Sequence, residues 1–289
     1  MTSDGFILYN HSSQRMPELA DGSVDCVFTS PPYWRMRDYG EAEQIGLEPT
    51  VELYIDALLE VFAEAKRVLK ETGSAWAVIG DTYRRKRLML VPERLTLGLS
   101  AQGWIVRNVV VWRKKDPLPE SVRDRLSKAH ERMLHLVKTE RYFYDLDAIR
   151  QPHSGPAHQA GRRTKHAGEV QGERRNGRAG FTARRSRAQH PRGKNPGDVF
   201  ECATSNCREA HFATLPVELA APRILSTTRG GETVLDPFAG AGSTGVAALR
   251  LGRRFAGYEI NAQYVEISRR GLEEASASKP MFAPASSGS

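Results

Sequence analysis

Residues 236–245 read Asp236-Pro237-Phe238-Ala239-Gly240-Ala241-Gly242-Ser243-Thr244-Gly245. An apolar run, Thr233–Leu235, precedes this stretch and predicts a short buried strand. A helix is predicted directly after it, over Ser243–Leu251. The three glycines have the G-x-G-x-x-G spacing of a turn that joins a strand to a helix beneath a nucleotide. The stretch therefore predicts a nucleotide-binding α/β fold, and we call it the glycine turn.

Glu259 ends the next predicted strand, Arg254–Ile260, about where an acidic side chain takes ribose hydroxyls. Such a site suits either an NAD dehydrogenase or an S-adenosylmethionine (AdoMet) methyltransferase. A dehydrogenase needs a second mononucleotide half, but only a helix over Gln263–Ala275 and a tail follow. The missing strands lie upstream, which indicates a sheet assembled in permuted order. Phe238 and the segment Phe212–Pro216 offer the aromatic wall that a methyltransferase needs, so this class is favoured.

The second informative stretch is Thr29-Ser30-Pro31-Pro32-Tyr33-Trp34, which follows the predicted strand Val24–Phe28. Two prolines cannot continue a central strand, so the backbone must turn at its carboxyl end. Open α/β sheets bind their ligands at such ends. A hydroxyl, a free carbonyl and two aromatic faces suit a flat nucleobase. The alternative is an ordinary Pro-Pro turn whose aromatics pack in the core.

Apolar spacing predicts the remaining elements and the domain organisation. Helices are predicted over Thr50–Lys70 with Gly73 as the stop, over Pro92–Gln102 and over Leu215–Ser226. Strands are predicted over Ala75–Ile79, Ile105–Trp112 and Arg132–Val137, with Arg84–Arg87 as a charged loop. Residues 154–196 show almost no apolar periodicity. We therefore predict a catalytic half (1–150), a basic insert (151–198), a cofactor-binding half (199–275) and a disordered tail (276–289).

The 289-residue chain carries a formal net charge of +8, and the excess is local. Eleven basic residues lie between Ala157 and Asn195, opposed only by Glu169 and Glu173. Arginine forks suit phosphates and guanine edges, so this block predicts a nucleic-acid contact. The predicted DNA-binding residues are Arg35, Arg37, Arg84, Arg85, Arg87, Arg162, Arg163, Arg174, Arg175, Arg184, Arg185 and Arg187.

The cysteines and the apolar segments argue against a metal-binding protein, a membrane protein and a secreted protein. Cys202, Cys207 and His211 have a loosely metal-like spacing, but no fourth ligand is evident, so buried thiols are favoured and no metal is predicted. No apolar stretch approaches membrane-spanning length, and the amino terminus does not resemble a signal peptide. We expect a soluble protein of the cytoplasm of a prokaryotic cell.

The two turns together resemble a known family. Ser30–Tyr33 (SPPY) ahead of Asp236–Ser243 (DPFAGAGS), with a basic region between them, is similar to the amino-methylating DNA methyltransferases of the β, circularly permuted class. Further matches are Trp76–Tyr83, His130-Glu131, Tyr142–Ile149 and His211–Pro216. The resemblance implies a Rossmann-like AdoMet-dependent fold: a mostly parallel seven-stranded sheet with one reversed strand and an inserted target-recognition region. Asn10-His11 departs from the Gly-Asp pair that many relatives carry near the cofactor's adenine.

The resemblance also implies roles for single residues. Ser30 and the Pro31 carbonyl would accept the hydrogens of the target amine, Pro32 would stiffen the turn, and Tyr33 would stack on a base flipped out of double-stranded DNA. Serine at the first motif position favours cytosine N4, with adenine N6 as the alternative. A non-catalytic basic DNA-binding protein is the alternative from another class, and a companion restriction endonuclease is an expected separate partner. The predicted AdoMet-binding residues are Phe212, Pro216, Asp236, Phe238, Gly240, Gly242, Ser243, Thr244 and Glu259.

Overall fold

The computed structural model describes residues 5–117, 119–153, 190–203, 205–206 and 213–278. The strands in these ranges are β1 (Phe6–Tyr9), β2 (Val24–Thr29), β3 (Leu69–Ile79), β4 (Tyr83–Arg84), β5 (Arg87–Leu88), β6 (Ile105–Lys114), β7 (His130–Val137), β8 (Val199–Cys202), β9 (Ser205–Asn206), β10 (Ala213–Thr214), β11 (Thr233–Asp236) and β12 (Arg254–Tyr258). The helices are α1 (Val51–Val68), α2 (Val91–Ala101), α3 (Val217–Thr227), α4 (Ser243–Arg250) and α5 (Ala262–Ala277), and a 3-10 helix covers Asp147–Ile149.

Eight strands form one sheet in the order β1-β12-β11-β2-β3-β7-β6-β8. Neighbours from β1 to β3 pair in parallel. β7 runs antiparallel to both β3 and β6, and β8 pairs parallel to β6. The predicted α/β fold, mostly parallel with one reversed strand, is confirmed. The described sheet has eight strands rather than seven because β8, whose four residues carry no clear apolar pattern, pairs along the edge of β6.

Helices cover both faces of the sheet, and the alternation along β2 shows why. Val27 points into the core beneath α1 and α2, whereas Cys26 and Phe28 point into the core beneath α3, α4 and α5. All six residues of β2 are buried. A parallel strand covered on both faces favours a largely apolar sequence, and in β2 only Asp25 and Thr29 are polar.

Most predicted boundaries agree with the structure to within two residues. α1 begins after Thr50, whose hydroxyl caps the amide of Leu53 at 3.3 Å. Gly73 does not stop this helix, because the chain enters β3 at Leu69 and Gly73 lies inside that strand. α3 begins at Val217 rather than at Leu215, with Pro216 in the N-cap position. The loop predicted at Arg84–Arg87 is instead the hairpin of β4 and β5.

β2 and β11 are neighbours in the sheet, and their helices lie on opposite faces. Val234 pairs with Cys26 and Leu235 with Val27. α1, which follows β2, packs on one face, and α4, which follows β11, packs on the other. The two strands therefore end at a topological switch point, where open α/β sheets form a crevice for ligands.

The chain divides into two compact units, residues 1–149 with 197–289 and residues 150–196. In the second unit, Gln151 and Lys194 form an isolated antiparallel bridge. Residues 154–189 lie outside the described ranges, so the recognition role predicted for the insert stays a prediction. No helix in the described part of the chain is long and apolar enough to cross a membrane.

Candidate active site

A cavity of about 400 Å³ lies where β2 and β11 end. Both turns singled out from the sequence line it. The residues on the side of β2 are Ser30, Pro31, Pro32 and Tyr33. Those on the side of β11 and β12 are Asp236, Phe238, Gly240, Ser243, Thr244 and Glu259. Residues from opposite ends of the chain therefore share one site.

The carboxylate of Asp236 joins the two turns. It accepts hydrogen bonds from Thr29 Oγ1 and Thr244 Oγ1, each at 2.6 Å, and from the Phe238 amide at 3.0 Å. The side chain is only 3 % exposed. Burial raises its pKa to about 6, although these hydrogen bonds oppose the shift. Asp236 thus aligns the ends of β2 and β11 through bonds within the protein, and its predicted contact with a cofactor stays a prediction.

Glu259 is held at the cavity wall by backbone amides. Its Oε2 accepts the Gly240 amide at 2.8 Å, and its Oε1 accepts the Asn261 amide at 2.9 Å. Burial raises its pKa, and these bonds oppose the rise. A carboxylate has about four acceptor positions, so Glu259 retains capacity for the two hydroxyls of a ribose. A Cβ built on Gly240 would meet only the Phe238 carbonyl, at 4.0 Å, so this glycine leaves the cavity open.

The other two glycines of the turn serve packing between elements. A Cβ on Gly242 would lie 2.4 Å from Ser268 Oγ and 3.2 Å from Ser268 Cα, and the residue has a φ of +84°. A Cβ on Gly245 would lie within 2.6 Å of side-chain atoms of both Leu272 and Phe255. The sequence suggested that Gly242 makes room for a cofactor. The structure shows that it makes room for α5.

The Pro-Pro turn has one free carbonyl and one aromatic ring at the cavity. The Pro32 carbonyl accepts a hydrogen bond from Tyr54 Oη at 2.8 Å. Within the described ranges, no donor contacts the Pro31 carbonyl, so that oxygen can accept from a ligand. Trp34 belongs to the core: it is 6 % exposed and donates to the Glu48 carbonyl at 2.9 Å. Of the two aromatics expected to face a base, only Tyr33 lines the cavity.

Three residues around Tyr33 were not predicted to act at the site. Tyr33 Oη donates to Glu131 Oε2 at 2.6 Å, and Glu131 forms an ion pair with Lys114. A Cβ on Gly80 would lie 2.7 Å from Tyr33 Cε2, so only glycine lets the ring lie against this backbone. Burial and the neighbouring Glu131 raise the pKa of Tyr33 well above its usual value. Glu131 had a signal in the His130-Glu131 motif and Gly80 in the Trp76–Tyr83 motif, whereas Lys114 had none.

Asn10 and His11 directly follow β1. Asn10 Nδ2 donates to the carbonyls of Glu259 and Ile260, both at 2.9 Å, and fastens the end of β1 to the end of β12. His11 lines the cavity; its Nε2 lies 2.8 Å from Glu18 Oε1, and its Nδ1 lies 2.9 Å from the Ser12 carbonyl. A carbonyl and an ionised carboxylate only accept, so the two contacts are both hydrogen bonds when both ring nitrogens carry protons, and they favour the charged imidazole.

Of the remaining predicted residues, some lie at or beside the cavity, some lie elsewhere on the protein, and some fall outside the described ranges. Arg37 lines the cavity, while Arg35 donates to the Glu48 and Pro49 carbonyls at 3.3 Å. Pro216 is buried beside Leu215, which lines the cavity. The exposed arginines of the β4–β5 hairpin are Arg84, Arg85 and Arg87. The predicted residues outside the described ranges are Arg162, Arg163, Arg174, Arg175, Arg184, Arg185, Arg187 and Phe212. The described part of the chain contains no cluster of three or more side chains able to hold a metal ion.

Comparisons with known proteins agree with this geometry. The type II methyltransferase M.Cfr9I of Citrobacter freundii is 36 % identical over 284 residues, covering 88 % of this chain and 83 % of that protein. M.SmaI of Serratia marcescens is 32 % identical over 295 residues, covering 92 % of this chain and 90 % of that protein.

Two solved structures share the fold. The PvuII DNA methyltransferase (cytosine-N4-specific) superposes with a TM-score of 0.67 at 18 % identity, over 96 % of this chain and 88 % of that one. The DNA modification methylase TTHA0409 of Thermus thermophilus, complexed with S-adenosyl-L-methionine, gives 0.60 at 22 % identity, over 95 % and 96 % of the two chains. The family model for N6/N4 DNA methylases matches residues 24–270. The chain that brings these two turns to one cavity therefore belongs to the N6/N4 DNA methylase family.

Proposed function

We propose that the protein is a site-specific DNA methyltransferase that methylates the exocyclic N4 amine of cytosine in duplex DNA, with AdoMet as the methyl donor. One observation carries the proposal: the glycine turn and the Pro-Pro turn line a single cavity and are joined by Asp236. A cofactor on the first turn and a base on the second would meet there. Positioning two reactants in this way is a large source of rate acceleration.

The glycine-turn side of the cavity suits AdoMet, which supplies a methyl group activated by the positive charge on sulfur. Glu259 would accept the ribose hydroxyls, and Phe238 would form the apolar wall. The first turn of α4, at Ser243 and Thr244, presents backbone amides that favour negative charge. The solved complex of TTHA0409 with S-adenosyl-L-methionine supports this choice of cofactor.

The Pro-Pro side suits a nucleobase amine. The amine lone pair is delocalised into the ring, so its hydrogens must be drawn out of the ring plane before nitrogen can attack. Ser30 Oγ and the Pro31 carbonyl are two acceptors that the Pro-Pro turn brings to the cavity. Tyr33 would stack on the flipped base.

Cytosine is supported by the neutral Ser30 and by the cytosine-N4-specific PvuII enzyme. Adenine N6 is the alternative, since YhdJ of Escherichia coli, a DNA adenine methyltransferase, is 27 % identical over 93 % of this chain.

The same proposal covers the rest of the molecule. The glycine-turn strand β11 occurs late in the chain yet lies between β12 and β2, which supports the circularly permuted class. The arginine-rich insert 151–198 would read the DNA sequence. The type II methyltransferases among the relatives support a companion restriction endonuclease that acts separately.

The test is to express the chain in a host without DNA methylation and to analyse the DNA. We expect N4-methylcytosine by nucleoside mass spectrometry, and sequencing should place it at one fixed site. N6-methyladenine as the only product would show that the proposed base is wrong. If no methylated base appears and calorimetry detects no AdoMet binding, the non-catalytic DNA-binding alternative holds instead.

Ser30→Ala tests the assignment of the Pro-Pro turn to the base. One of two acceptors is lost, so the rate should fall by about ten- to a few-hundred-fold, which corresponds to roughly 1–3 kcal/mol. AdoMet affinity, measured by calorimetry, should not change. Loss of AdoMet binding in a folded Ser30→Ala protein would contradict the assignment.

A further inference from the structure

A network of hydrogen bonds and one ion pair at the cavity includes two charged residues that have no role in the proposed function. It runs from Ser30 through Tyr33 to Glu131 and ends at Lys114. All four residues line the cavity on the side assigned to the base. Their segments are far apart in sequence: the Pro-Pro turn, the end of β6 and the start of β7.

The chemistry of the groups sets the direction of each hydrogen bond. An ionised carboxylate only accepts, so Tyr33 Oη donates its proton to Glu131 Oε2, at 2.6 Å. Tyr33 has a single hydroxyl proton and donates it to Glu131, so its phenol oxygen accepts the hydrogen bond that it shares with Ser30. Ser30 therefore donates its proton to Tyr33 and keeps its lone pairs for another donor, such as the amine of a bound base.

The Glu131 end of this hydrogen-bond network can take up a proton. The Glu131 side chain is 12 % exposed, and its charge is balanced by Lys114, which is 25 % exposed and lies 5.3 Å from the Trp112 ring. Lys114 from β6 and Tyr33 from the Pro-Pro turn contact the carboxylate directly. Arg37 and Glu43, from the segment after that turn, line the same cavity. The ion pair with Lys114 balances the negative charge of Glu131, and the partial exposure of both side chains gives the carboxylate a path to solvent.

We propose that Ser30, Tyr33 and Glu131 form a relay that removes the proton released when the target amine is methylated. This inference rests on the proposed function. The amine nitrogen forms its bond to the methyl carbon while the methyl–sulfur bond breaks and leaves its electron pair on sulfur. The nitrogen then carries a positive charge and releases one proton to Ser30 Oγ. Ser30 passes its own proton to Tyr33 Oη, and Tyr33 passes its proton to Glu131.

The relay restores every group except one. Ser30 and Tyr33 end as neutral hydroxyls, and Glu131 ends as a carboxylic acid that must lose its proton to water before the next turnover. Tyr33 thus has two separable functions, because its ring would stack on the base while its hydroxyl conducts the proton. Glu131 acts on the amine only through Tyr33 and Ser30.

Tyr33→Phe and Glu131→Gln separate the relay from stacking. We would measure single-turnover transfer of tritiated methyl groups from AdoMet to genomic DNA of a host without DNA methylation, across a range of pH. Each variant should slow transfer by about 100-fold. The double variant should be no slower than either single variant, because both changes interrupt one path. Tyr142→Phe, which alters a tyrosine that accepts from Arg107 outside the cavity, is the matched control and should keep the wild-type rate.

The pH profile distinguishes a relay from a structural role. Glu131 must be ionised to accept the proton, so the wild-type rate should fall at acid pH, and this fall should be absent from both variants. AdoMet affinity, and the fluorescence of 2-aminopurine placed at the methylated position, should be unchanged in Tyr33→Phe. Variants that keep the acid fall, or whose losses multiply in the double variant, would overturn the relay and leave the proposed function intact. A wild type that transfers no methyl group would overturn both.

Discussion

At the scale of single residues, Gly242 shows how one absent side chain positions a helix. Its missing Cβ makes room for Ser268, a fully buried residue of α5. The left-handed φ of +84° adds a second requirement for glycine. Gly240, two positions earlier, has a similar backbone but faces the cavity. One glycine of the motif therefore leaves the cavity open, and another makes room for a helix.

Gly242→Ala should therefore destabilise the protein rather than act on AdoMet alone. Overpacking costs about 1–3 kcal/mol, and the left-handed backbone costs a further 1–2 kcal/mol or so. Urea unfolding would measure the loss. In the double variant with Ser268→Gly, the stability lost to overpacking should be recovered, whereas the cost of the left-handed backbone should remain. Gly240→Ala is the matched control. It should weaken AdoMet binding because Gly240 lines the cavity, and its loss of stability should include the cost of the left-handed backbone but not that of overpacking. Equal stability losses at both positions, with no recovery by Ser268→Gly, would contradict this explanation.

His11 makes the stability depend on pH. Burial lowers its pKa, but hydrogen bonds to the Ser12 carbonyl and to Glu18 outweigh this and raise the pKa above its usual value. The folded state therefore binds the proton more tightly than the unfolded state. The stabilisation should be fully present below the unfolded pKa of about 6.5 and should be lost as pH rises through the folded pKa.

The measurement is the free energy of unfolding of the wild type and of His11→Gln at several pH values, together with an NMR titration of the His11 ring. The difference between the proteins should shrink as the pH rises. A folded pKa below that of a free histidine would show that one ring nitrogen accepts and that the ring is neutral.

At the scale of elements, the β4–β5 hairpin carries its charge on a strained turn. Arg85 and Lys86, its two central residues, have φ values of 47° and 65°. Two-residue hairpin turns require such positive φ values, and Asn or Gly usually supplies them. Here two cations occupy the positions, although each costs about 1–2 kcal/mol in a left-handed conformation. The exposed Lys86–Asp124 ion pair offsets little of that cost. This use of cations fits the proposed DNA contact.

Lys86→Gly should stabilise the protein by about 0.5–1 kcal/mol, because glycine relieves the strained backbone at some cost in unfolded-state entropy. It should also weaken DNA binding. Arg87→Gly removes an equal charge from β5, where φ is not positive, so it should weaken DNA binding and lower stability. Thermal unfolding and filter binding to duplex DNA would measure the two effects. A loss of stability in Lys86→Gly would rule out the strain.

At the scale of the whole molecule, the sheet order accounts for the proposed division of labour. β2 and β11 lie side by side, so the Pro-Pro turn and the glycine turn open into one crevice. The basic residues between 157 and 195 belong to the other compact unit of the chain. Under the proposed function, chemistry and sequence reading therefore reside in separate units.

The insert should contact DNA mainly through phosphates. The logarithm of the affinity should fall with the logarithm of salt concentration with a slope of about −0.9 per neutralised phosphate. Deletion of Ala157–Asn195 should abolish specific methylation and spare AdoMet binding. A variant with the arginines of this block changed to lysine should keep the slope and lose specificity, since lysine has no bidentate fork. A deletion variant that still methylates the same sites would place recognition outside the insert.

The sequence by itself determined the features that depend on near neighbours in the chain. The apolar spacing of residues 51–68 and the Thr50 cap predict α1, and the buried run before Ser30 predicts β2, because helix and strand formation respond to local periodicity. The glycine turn and the Pro-Pro turn are local signals too. Local reasoning failed at Gly73, where a residue typical of helix ends lies within a strand, and the side chain of Leu69 and the carbonyl of Asp25 leave no room for a Cβ.

Only the tertiary structure decided which of these local features meet. Thr29 and Asp236 are 207 positions apart, and their hydrogen bond exists because β11 lies next to β2 in the sheet. The contact of Tyr33 with Glu131, 98 positions away, likewise depends on where β7 lies in the sheet. Strand order is set by the packing of the whole chain, and no short stretch of sequence encodes it. The residue types of the site could therefore be predicted, whereas its hydrogen-bond network could not.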